Sequence, residues 1–454
     1  MMIRHLIRNT RYINGLRYYS NGNKKQGDMS GSLGDQLKDE HWEIGWNDFT
    51  EMVCKGPGQG PEPHYDKIIS GFKTFHYKTP VEFKLGGQLP DFKIAYETWG
   101  KLNENRDNAI LLHTGLSASS HAKSHQENQK PGWWEEFIGP GLAIDTNRFY
   151  VICTNVIGGC FGSTGPSSVN PLTGKRWALD FPSLTIDDMV QCQFKLLDSL
   201  GIQKLYASVG SSMGGMQSLS ASAQFPERVG RMITISSAGR SHPLSMAMRY
   251  TQRMVLMSDP CWMEGAYYDK TFPFTGMKHA REIGTITYRS GPEWNERFGR
   301  KKISDNPRFK KLVNFGSSLH SSKKQGKDLF LPEFEIEAYL DYQGKKFCSE
   351  YDPNSLLYLS KAMDLFDMGE GQESYEKGLH RIKCPTMVLG VDSDILFPSY
   401  QQREIANILK QGGTPTTYYE LHSIYGHDTF LIDIQTIGSA IKGHLESLHT
   451  LRKP

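Results

Sequence analysis

Gly210-Ser-Ser-Met-Gly214 follows the strand-like run Lys204-Leu-Tyr-Ala-Ser-Val209 and precedes Gly215-Met-Gln-Ser-Leu-Ser-Ala-Ser-Ala-Gln-Phe225, which reads as a helix. G-x-S-x-G between a strand and a helix builds a sharp turn that lifts the serine hydroxyl clear of the sheet. The glycines leave room for that turn, and Ser212 is the candidate nucleophile. The five-residue pattern alone is weak in a chain with 45 glycines. Its flanks make it specific, because the motif has a mechanism only at a strand-to-helix junction.

Working outward, strand and helix signals alternate on both sides. Ala109-Ile-Leu-Leu-His113 and Arg148-Phe-Tyr-Val-Ile-Cys-Thr-Asn-Val156 read as buried strands. Thr185 is placed to cap a helix carrying Ile186, Met189, Val190, Phe194 and Leu197 at helical spacing. Asp187 and Asp188 stand at its positive end, and Gly201 is a stop. Arg231-Met-Ile-Thr-Ile-Ser236, Pro385-Thr-Met-Val-Leu-Gly-Val391 and Thr416-Thr-Tyr-Tyr-Glu-Leu421 complete the strand set. Continuously apolar strands alternating with helices predict an α/β fold with a mostly parallel sheet covered on both faces. Residues 241–380 break the alternation. They are rich in Met, Arg, Lys and aromatics, lack clear strands and include a basic polar stretch at 318–327. This segment is expected to be a helical insertion over the C-terminal edge of the sheet. The core is then discontinuous, with a first part at 41–240 and a second at 381–454.

The chain has 454 residues, 38% hydrophobic and 22% charged, with a net charge of +3. That is ordinary for a globular protein and gives no global signal for nucleic acid. No run reaches the length of a membrane span. Seven cysteines at 54, 153, 160, 192, 261, 348 and 384 form no C-x-x-C pair. Neither a disulfide framework nor a zinc site is expected, and a reducing compartment fits. The first twenty residues carry Arg4, Arg8, Arg11 and Arg17, and the first acid is Asp28. With Ile3, Leu6, Ile7 and Ile13 interleaved, residues 1–40 read as a mitochondrial presequence followed by a polar, Gly/Ser-rich linker. The expected address is the matrix.

An activated serine needs a base within hydrogen-bond reach and a carboxylate to orient that base. On folds built around this elbow the three follow in the order Ser, Asp/Glu, His. Strand 385–391 leads into Asp392-Ser-Asp394, with Asp394 the favoured acid and Asp392 its alternative. Strand 416–421 leads into Gly426-His427, and the glycine permits a tight turn that aims the imidazole at Ser212. Two backbone N–H groups are needed for an oxyanion hole. One is expected from Met213 and the other from Gly115 or Leu116, in the loop after strand 109–113. Gly158-Gly-Cys-Phe-Gly-Ser-Thr-Gly165 lacks the Lys-Ser/Thr of a phosphate loop and the spacing of a dinucleotide fingerprint, and reads as a tight loop.

Several blocks resemble the homoserine O-acetyltransferase family. They are Trp133-Trp134 with Gly139-Pro-Gly141, Asn155 to Ser168, Asp180-Phe-Pro182, Gly210 to Gln217, Phe334 to Gly344, Val391 to Pro398 and Gly426-His-Asp428. The likeness runs from about 80 to 445. It implies an α/β-hydrolase fold with an inserted helical lid, a homodimer, and acyl transfer from acyl-CoA to the hydroxyl of homoserine or serine. The family's triad falls on Ser212, Asp394 and His427. The likeness also implies that Asp428 helps hold the amino-acid substrate and that Arg253 lies near the substrate carboxylate. Members acting on homoserine usually read His-Ala-Leu-Thr-Gly at the oxyanion loop. Here His113-Thr-Gly-Leu-Ser117-Ala118 is similar to members that use serine, and a shifted loop wall would fill the space of the extra methylene. Such a difference is worth ~1–3 kcal/mol. Arg249 stands where acetyl users tend to carry a neutral residue, and a guanidinium there can pair with the free carboxylate of a succinyl group. The expected activity is O-acylation of L-serine, succinyl favoured over acetyl, feeding cysteine synthesis. Acyl-CoA is the co-substrate, and no bound cofactor or metal is implied. Homoserine O-acetyl transfer and serine-esterase or thioesterase hydrolysis are the alternatives.

Overall fold

The computed structural model describes residues 62–306 and 332–447. The presequence and linker at 1–40, Cys54 and the basic stretch at 318–327 lie outside the described residues. The eight strands of the main sheet are β1 (Lys73–Tyr77), β2 (Phe92–Trp99), β3 (Ala109–His113), β4 (Tyr150–Thr154), β5 (Ala207–Ser211), β6 (Met232–Ile235), β7 (Thr386–Val391) and β8 (Thr416–Leu421). Their spatial order is β1-β2-β4-β3-β5-β6-β7-β8. From β4 to β8 every pairing is parallel, and β2 runs antiparallel to both of its neighbours.

The apolar runs are continuous because the sheet is buried on both faces. In β3, Ala109 and Leu111 enter one apolar cluster while Ile110 and Leu112 enter the other. The first cluster is covered by α1 (Ile186–Ser199), α2 (Met213–Gln224) and α9 (Ser399–Gln411), through Met189, Leu197, Met216, Ile405 and Leu409. The second is covered by α10 (Ile434–Glu446), through Ile437, Ile441 and Leu445, with Trp134 and Phe137. Thr185 caps α1 as expected, in a reciprocal capping box with Asp188. Gly201 ends it at φ +68°.

Between β6 and β7 the described residues carry helices and no strand of the main sheet. These are α3 (Pro243–Met257), α4 (Phe274–Thr287), α5 (Gly291–Arg297), α6 (Glu335–Cys348), α7 (Pro353–Leu365) and α8 (Tyr375–Leu379). At their centre Asp352 is fully buried and caps α7, accepting from Ser355, Tyr267 and Tyr268.

Two features differ from the sequence expectation. The strand expected at 204–209 lies at Ala207–Ser211. Pairing with β6, Thr234 to Gly210 and Ile235 to Ser211, carries the strand into the turn. Strands β1 and β2 were not singled out. β1 is half exposed and weakly apolar, and β2 carries Glu97 and Lys93 among its apolar positions. The six described cysteines are unpaired. No helix among the described residues is long and apolar enough to cross a membrane.

Candidate active site

At the end of β5 the chain turns into α2 with Ser212 at φ 57°, ψ −127°, a conformation costly for a residue with a Cβ. Close packing enforces it. A Cβ at Gly210 would lie 2.1 Å from the Gly214 carbonyl oxygen, and one at Gly214 would lie 2.4 Å from that of His113. Neither glycine has a positive φ, so the motif needs them for close approach of backbone to backbone. The Ser212 N–H donates to the Ile235 carbonyl at 2.9 Å and ties the turn to β6.

The loops after β7 and β8 bring Asp394 and His427 to this serine. Ser212 Oγ is 2.9 Å from His427 Nε2, and His427 Nδ1 is 2.7 Å from Asp394 Oδ2. The other Asp394 oxygen accepts from the N–H groups of Leu396 and Phe397 at 2.9 and 2.8 Å. All three side chains are nearly buried. Gly426 has φ +63°, and a Cβ there would meet the Arg289 backbone at 2.9 Å, so the tight turn before the histidine is obligatory. Phe397 stacks on the imidazole at a centroid distance of 5.0 Å, and Phe430 meets it edge-on at 5.4 Å. Burial works against a charged His427, but the charge and hydrogen bond of Asp394 outweigh it and leave the pKa raised. The alternative acid, Asp392, faces away and binds the exposed His422 at 2.7 Å.

Among the described residues, the N–H groups of Met213, Gly115 and Leu116 donate to no backbone acceptor. A Cβ on Gly115 would stand 4.0 Å from that of Ser212, which puts the loop after β3 against this serine. Gln217, buried in α2, donates to the Thr114 carbonyl at 3.0 Å and in turn accepts from Gln193 at 2.9 Å. His113 at the base of the loop is kept neutral by burial, its pKa pushed down to about 3. Ser117 and Ala118 are half-buried in the same loop. The loop 158–165 spends its glycine N–H groups within the protein, those of Gly158 and Gly159 on the Thr164 and Val156 carbonyls and that of Gly165 on Ser168 Oγ, and it is tightly packed. A Cβ on Gly165 would strike the Gly159 carbonyl at 2.2 Å, and one on Gly162 would strike Phe72 at 2.7 Å.

The helical insertion supplies the charges. Arg249 and Arg253, one turn apart on α3, share Asp364 of α7 with N···O distances of 2.6 Å each. Arg249 also donates to Ser241 Oγ at 2.9 Å and Arg253 to Ser360 Oγ at 3.1 Å. Arg249 is 3% exposed, so it is no surface cation. Its Nη1 is buried and has no hydrogen-bond partner among the described residues, and its charge bears on the titration of His427 and Tyr288. Asp428 is paired with Arg289 Nε at 2.9 Å, while its N–H donates to the Tyr288 carbonyl. Tyr288 lies beside His427 at 6.3 Å between ring centroids. The sequence reading missed Asp364, Gln217, Tyr288 and Arg289. Asp364 had a signal. Ser360 and Asp364 repeat at i, i+4 opposite the i, i+4 arginines, so two helix faces match. Tyr288 and Arg289 had none, because nothing local marks a side chain that reaches a site assembled from distant segments.

Glu97, His121 and His125 form a separate cluster whose ligand-type atoms lie within 4.8 Å of one another. Its geometry is that of hydrogen bonds. Glu97 Oε2 is 2.7 Å from His121 Nδ1 and 2.7 Å from His125 Nε2, while His121 Nε2 donates to the Lys130 carbonyl. Ligands of one metal ion at ~2 Å from it stand farther apart than this. The cluster pins the segment that follows the oxyanion loop.

Residues 108–433 match the family model described as the alpha/beta hydrolase fold. A serine O-succinyltransferase of Emericella nidulans is 49% identical, the match covering 87% of this chain and 85% of that one. A homoserine O-acetyltransferase of Deferribacter desulfuricans is 43% identical over 83% of this chain and 96% of its own. Among solved structures, esterase E22 has a TM-score of 0.73 at 31% identity, covering 83% of this chain and all of its own.

The raised pKa of His427 gives a signed prediction. As a base His427 must be neutral, so kcat/KM rises with pH through a pKa above the ordinary imidazole value near 6.5. Asp394→Asn removes the group that raises it. The rate should fall by at least about a hundredfold and the acid limb should move to lower pH. A pH–rate profile of both proteins checks this, and an unmoved limb would show that Asp394 does not act on His427.

Proposed function

The chain belongs to the α/β-hydrolase fold family, among the serine and homoserine O-acyltransferases, and from that premise we propose that it acylates L-serine on oxygen, taking a succinyl group from succinyl-CoA. The observation that carries the succinyl assignment is Arg249 Nη1, a buried guanidinium nitrogen without a partner close enough to the catalytic histidine to affect its titration. An unpaired buried donor is costly, and a ligand carboxylate at this point satisfies it where an acetyl group offers nothing. Asp364 neutralises one of the two arginines, so the pair retains one net positive charge for that carboxylate.

In this reading Ser212 Oγ attacks the thioester carbonyl while His427 Nε2 takes its proton. Asp394 holds the imidazole and stabilises its charged form. The Met213 N–H, with that of Gly115 or Leu116, receives the negative oxygen. The C–S bond breaks, His427 returns the proton to the CoA sulfur, and the acyl group remains as an ester on Ser212. The serine hydroxyl then attacks that ester, again losing its proton to His427, and O-succinylserine leaves with the nucleophile restored. Arg253 and the Asp428–Arg289 pair offer one positive and one negative group to the acceptor's carboxylate and ammonium. Ser117 and Ala118 form the wall that favours serine over homoserine. The helices of the insertion act as the lid that keeps water from the acyl-enzyme. Homoserine as acceptor is the competing substrate reading, given the Deferribacter relative. Hydrolysis is the competing reaction, given the likeness to esterase E22.

Two further assignments belong to this proposal. Leu244, Tyr250 and Met254 on α3 are exposed on one helical face, which suits a homodimer. Tyr250→Glu should then sediment as a monomer, and an unchanged dimer would remove this face as the contact. The basic, acid-free start of the chain supports delivery to the mitochondrial matrix, which import of a reporter carrying residues 1–40 would test.

The deciding assay is thiol release with acetyl-CoA or succinyl-CoA crossed against L-serine, L-homoserine and no acceptor. The proposal expects the succinyl-CoA and serine pair to be fastest, little release without acceptor, and loss of all activity in Ser212→Ala. Arg249→Met should lower kcat/KM for succinyl-CoA by about tenfold or more and leave acetyl-CoA nearly unchanged. Equal losses with both donors would remove Arg249 from donor recognition. Fast release without acceptor would make the protein a hydrolase.

A further inference from the structure

The oxyanion loop is held from two sides. From the core, Gln217 holds the Thr114 carbonyl at 3.0 Å. From the helical insertion, the hydroxyl of Tyr351 donates to the Leu116 carbonyl at 2.7 Å. In a trans peptide the carbonyl and the following N–H point in opposite directions, so holding the oxygen fixes the whole plane. Gln217 thereby fixes the plane that carries the Gly115 N–H. Tyr351 fixes the plane that begins at the Leu116 carbonyl. The remaining plane between them carries the Leu116 N–H, and it is bracketed by two pinned neighbours.

Tyr351 is well built for this task. It is 2% exposed, stacked on Phe347 at 5.0 Å and 12°, and met edge-on by Phe161 at 5.5 Å. Burial pushes its phenol well above the ordinary range, so the hydroxyl stays protonated and able to donate. The next residue is Asp352, the buried carboxylate that collects Tyr267, Tyr268 and Ser355 and caps α7. The same helix carries Asp364, which holds Arg249 and Arg253. The segment of the insertion from Tyr351 to Asp364 therefore holds both the arginine pair and the loop after β3.

We propose that Tyr351 is a positioning residue for acyl transfer, locking the oxyanion loop to the helical insertion so that the Leu116 N–H points at the developing negative oxygen. This rests on the reading of Ser212 as the nucleophile and of the 115–116 backbone as the oxyanion donor. An oxyanion hole works through donors already in place, so its loss is felt in the transition state and hardly in the bound substrate.

Tyr351→Phe removes the hydroxyl and keeps the stacked ring. The burst of thiol release on mixing with acyl-CoA should slow by about tenfold, with KM for the donor within about twofold of the parent. A trifluoromethyl ketone analogue of the donor, which adds to Ser212 as a charged hemiketal, should lose affinity in the same proportion. CoA itself should bind as before, and the melting temperature should stay the same. Phe347→Leu, which disturbs the packing and spares the hydrogen bond, provides the contrast, with a lowered melting temperature and a preserved ketone-to-CoA affinity ratio. The proposal is overturned if Tyr351→Phe keeps the parental burst rate and ketone affinity, or if it loses rate, CoA binding and melting temperature together. Ser212→Ala separates this failure from failure of the site. Activity remaining in Ser212→Ala removes the nucleophile itself, whereas an inactive Ser212→Ala beside a fully active Tyr351→Phe removes only the clasp.

Discussion

The backbone of Ser212 cannot relax, and the site depends on that constraint. Gly210 lies against the Gly214 carbonyl and Gly214 against that of His113, at distances that leave no room for a methyl group. The N–H of Ser212 is bound to β6. Strain of this kind costs on the order of 1–3 kcal/mol and persists only where the surroundings over-determine it. Here the surroundings are a sheet covered on both faces by apolar clusters. In return the hydroxyl meets His427, and the Met213 N–H at the start of α2 has no backbone acceptor among the described residues. The same contact between Gly214 and the 113–114 carbonyls brings the loop after β3 against Ser212.

A second constraint is electrical. The helical insertion places two arginines on one aspartate and a third arginine on Asp428, and the charge of His427 is favoured by Asp394. Burying this many ionic groups is expensive unless each is paired, and Arg249 Nη1, like Arg281 Nε, is buried without a hydrogen-bond partner among the described residues. The arrangement suits a small anionic acyl group entering where water is excluded. On the proposed reading, a neutral acyl group would leave Arg249 Nη1 unsatisfied, whereas the carboxylate of a succinyl group would satisfy it.

The parts of this molecule governed by local rules were legible in the sequence. The elbow, the helix cap at Thr185, the strands at 109–113 and 416–421, and the glycine before His427 each follow from short-range sterics or hydrogen bonding. Chain order pointed to Asp394, which lies 2.7 Å from His427 Nδ1, whereas Asp392 turns outward to His422. Less legible were features fixed by distant partners. β5 begins later than its apolar run because pairing with β3 sets its start at Ala207 and pairing with β6 carries its end to Ser211. β1 and β2 carry weak or mixed patterns because β1 lies at the sheet edge and β2 bears the buried Glu97. Tyr288, Arg289 and Tyr351 lie in the helical insertion, where amphipathic spacing reports only that a face is buried. Their roles come from contacts across a hundred residues or more of chain, as between Tyr351 and Leu116.

On the proposed mechanism Ser212 carries the acyl group between donor and acceptor, and mass spectrometry of the protein mixed with succinyl-CoA in the absence of acceptor is the decisive measurement. One succinyl group is expected on the peptide containing Ser212, persisting in buffer and vanishing when L-serine is added, with O-succinylserine appearing in equal amount. Finding no adduct on Ser212 while the product still forms would contradict it, because transfer would then run directly from thioester to acceptor.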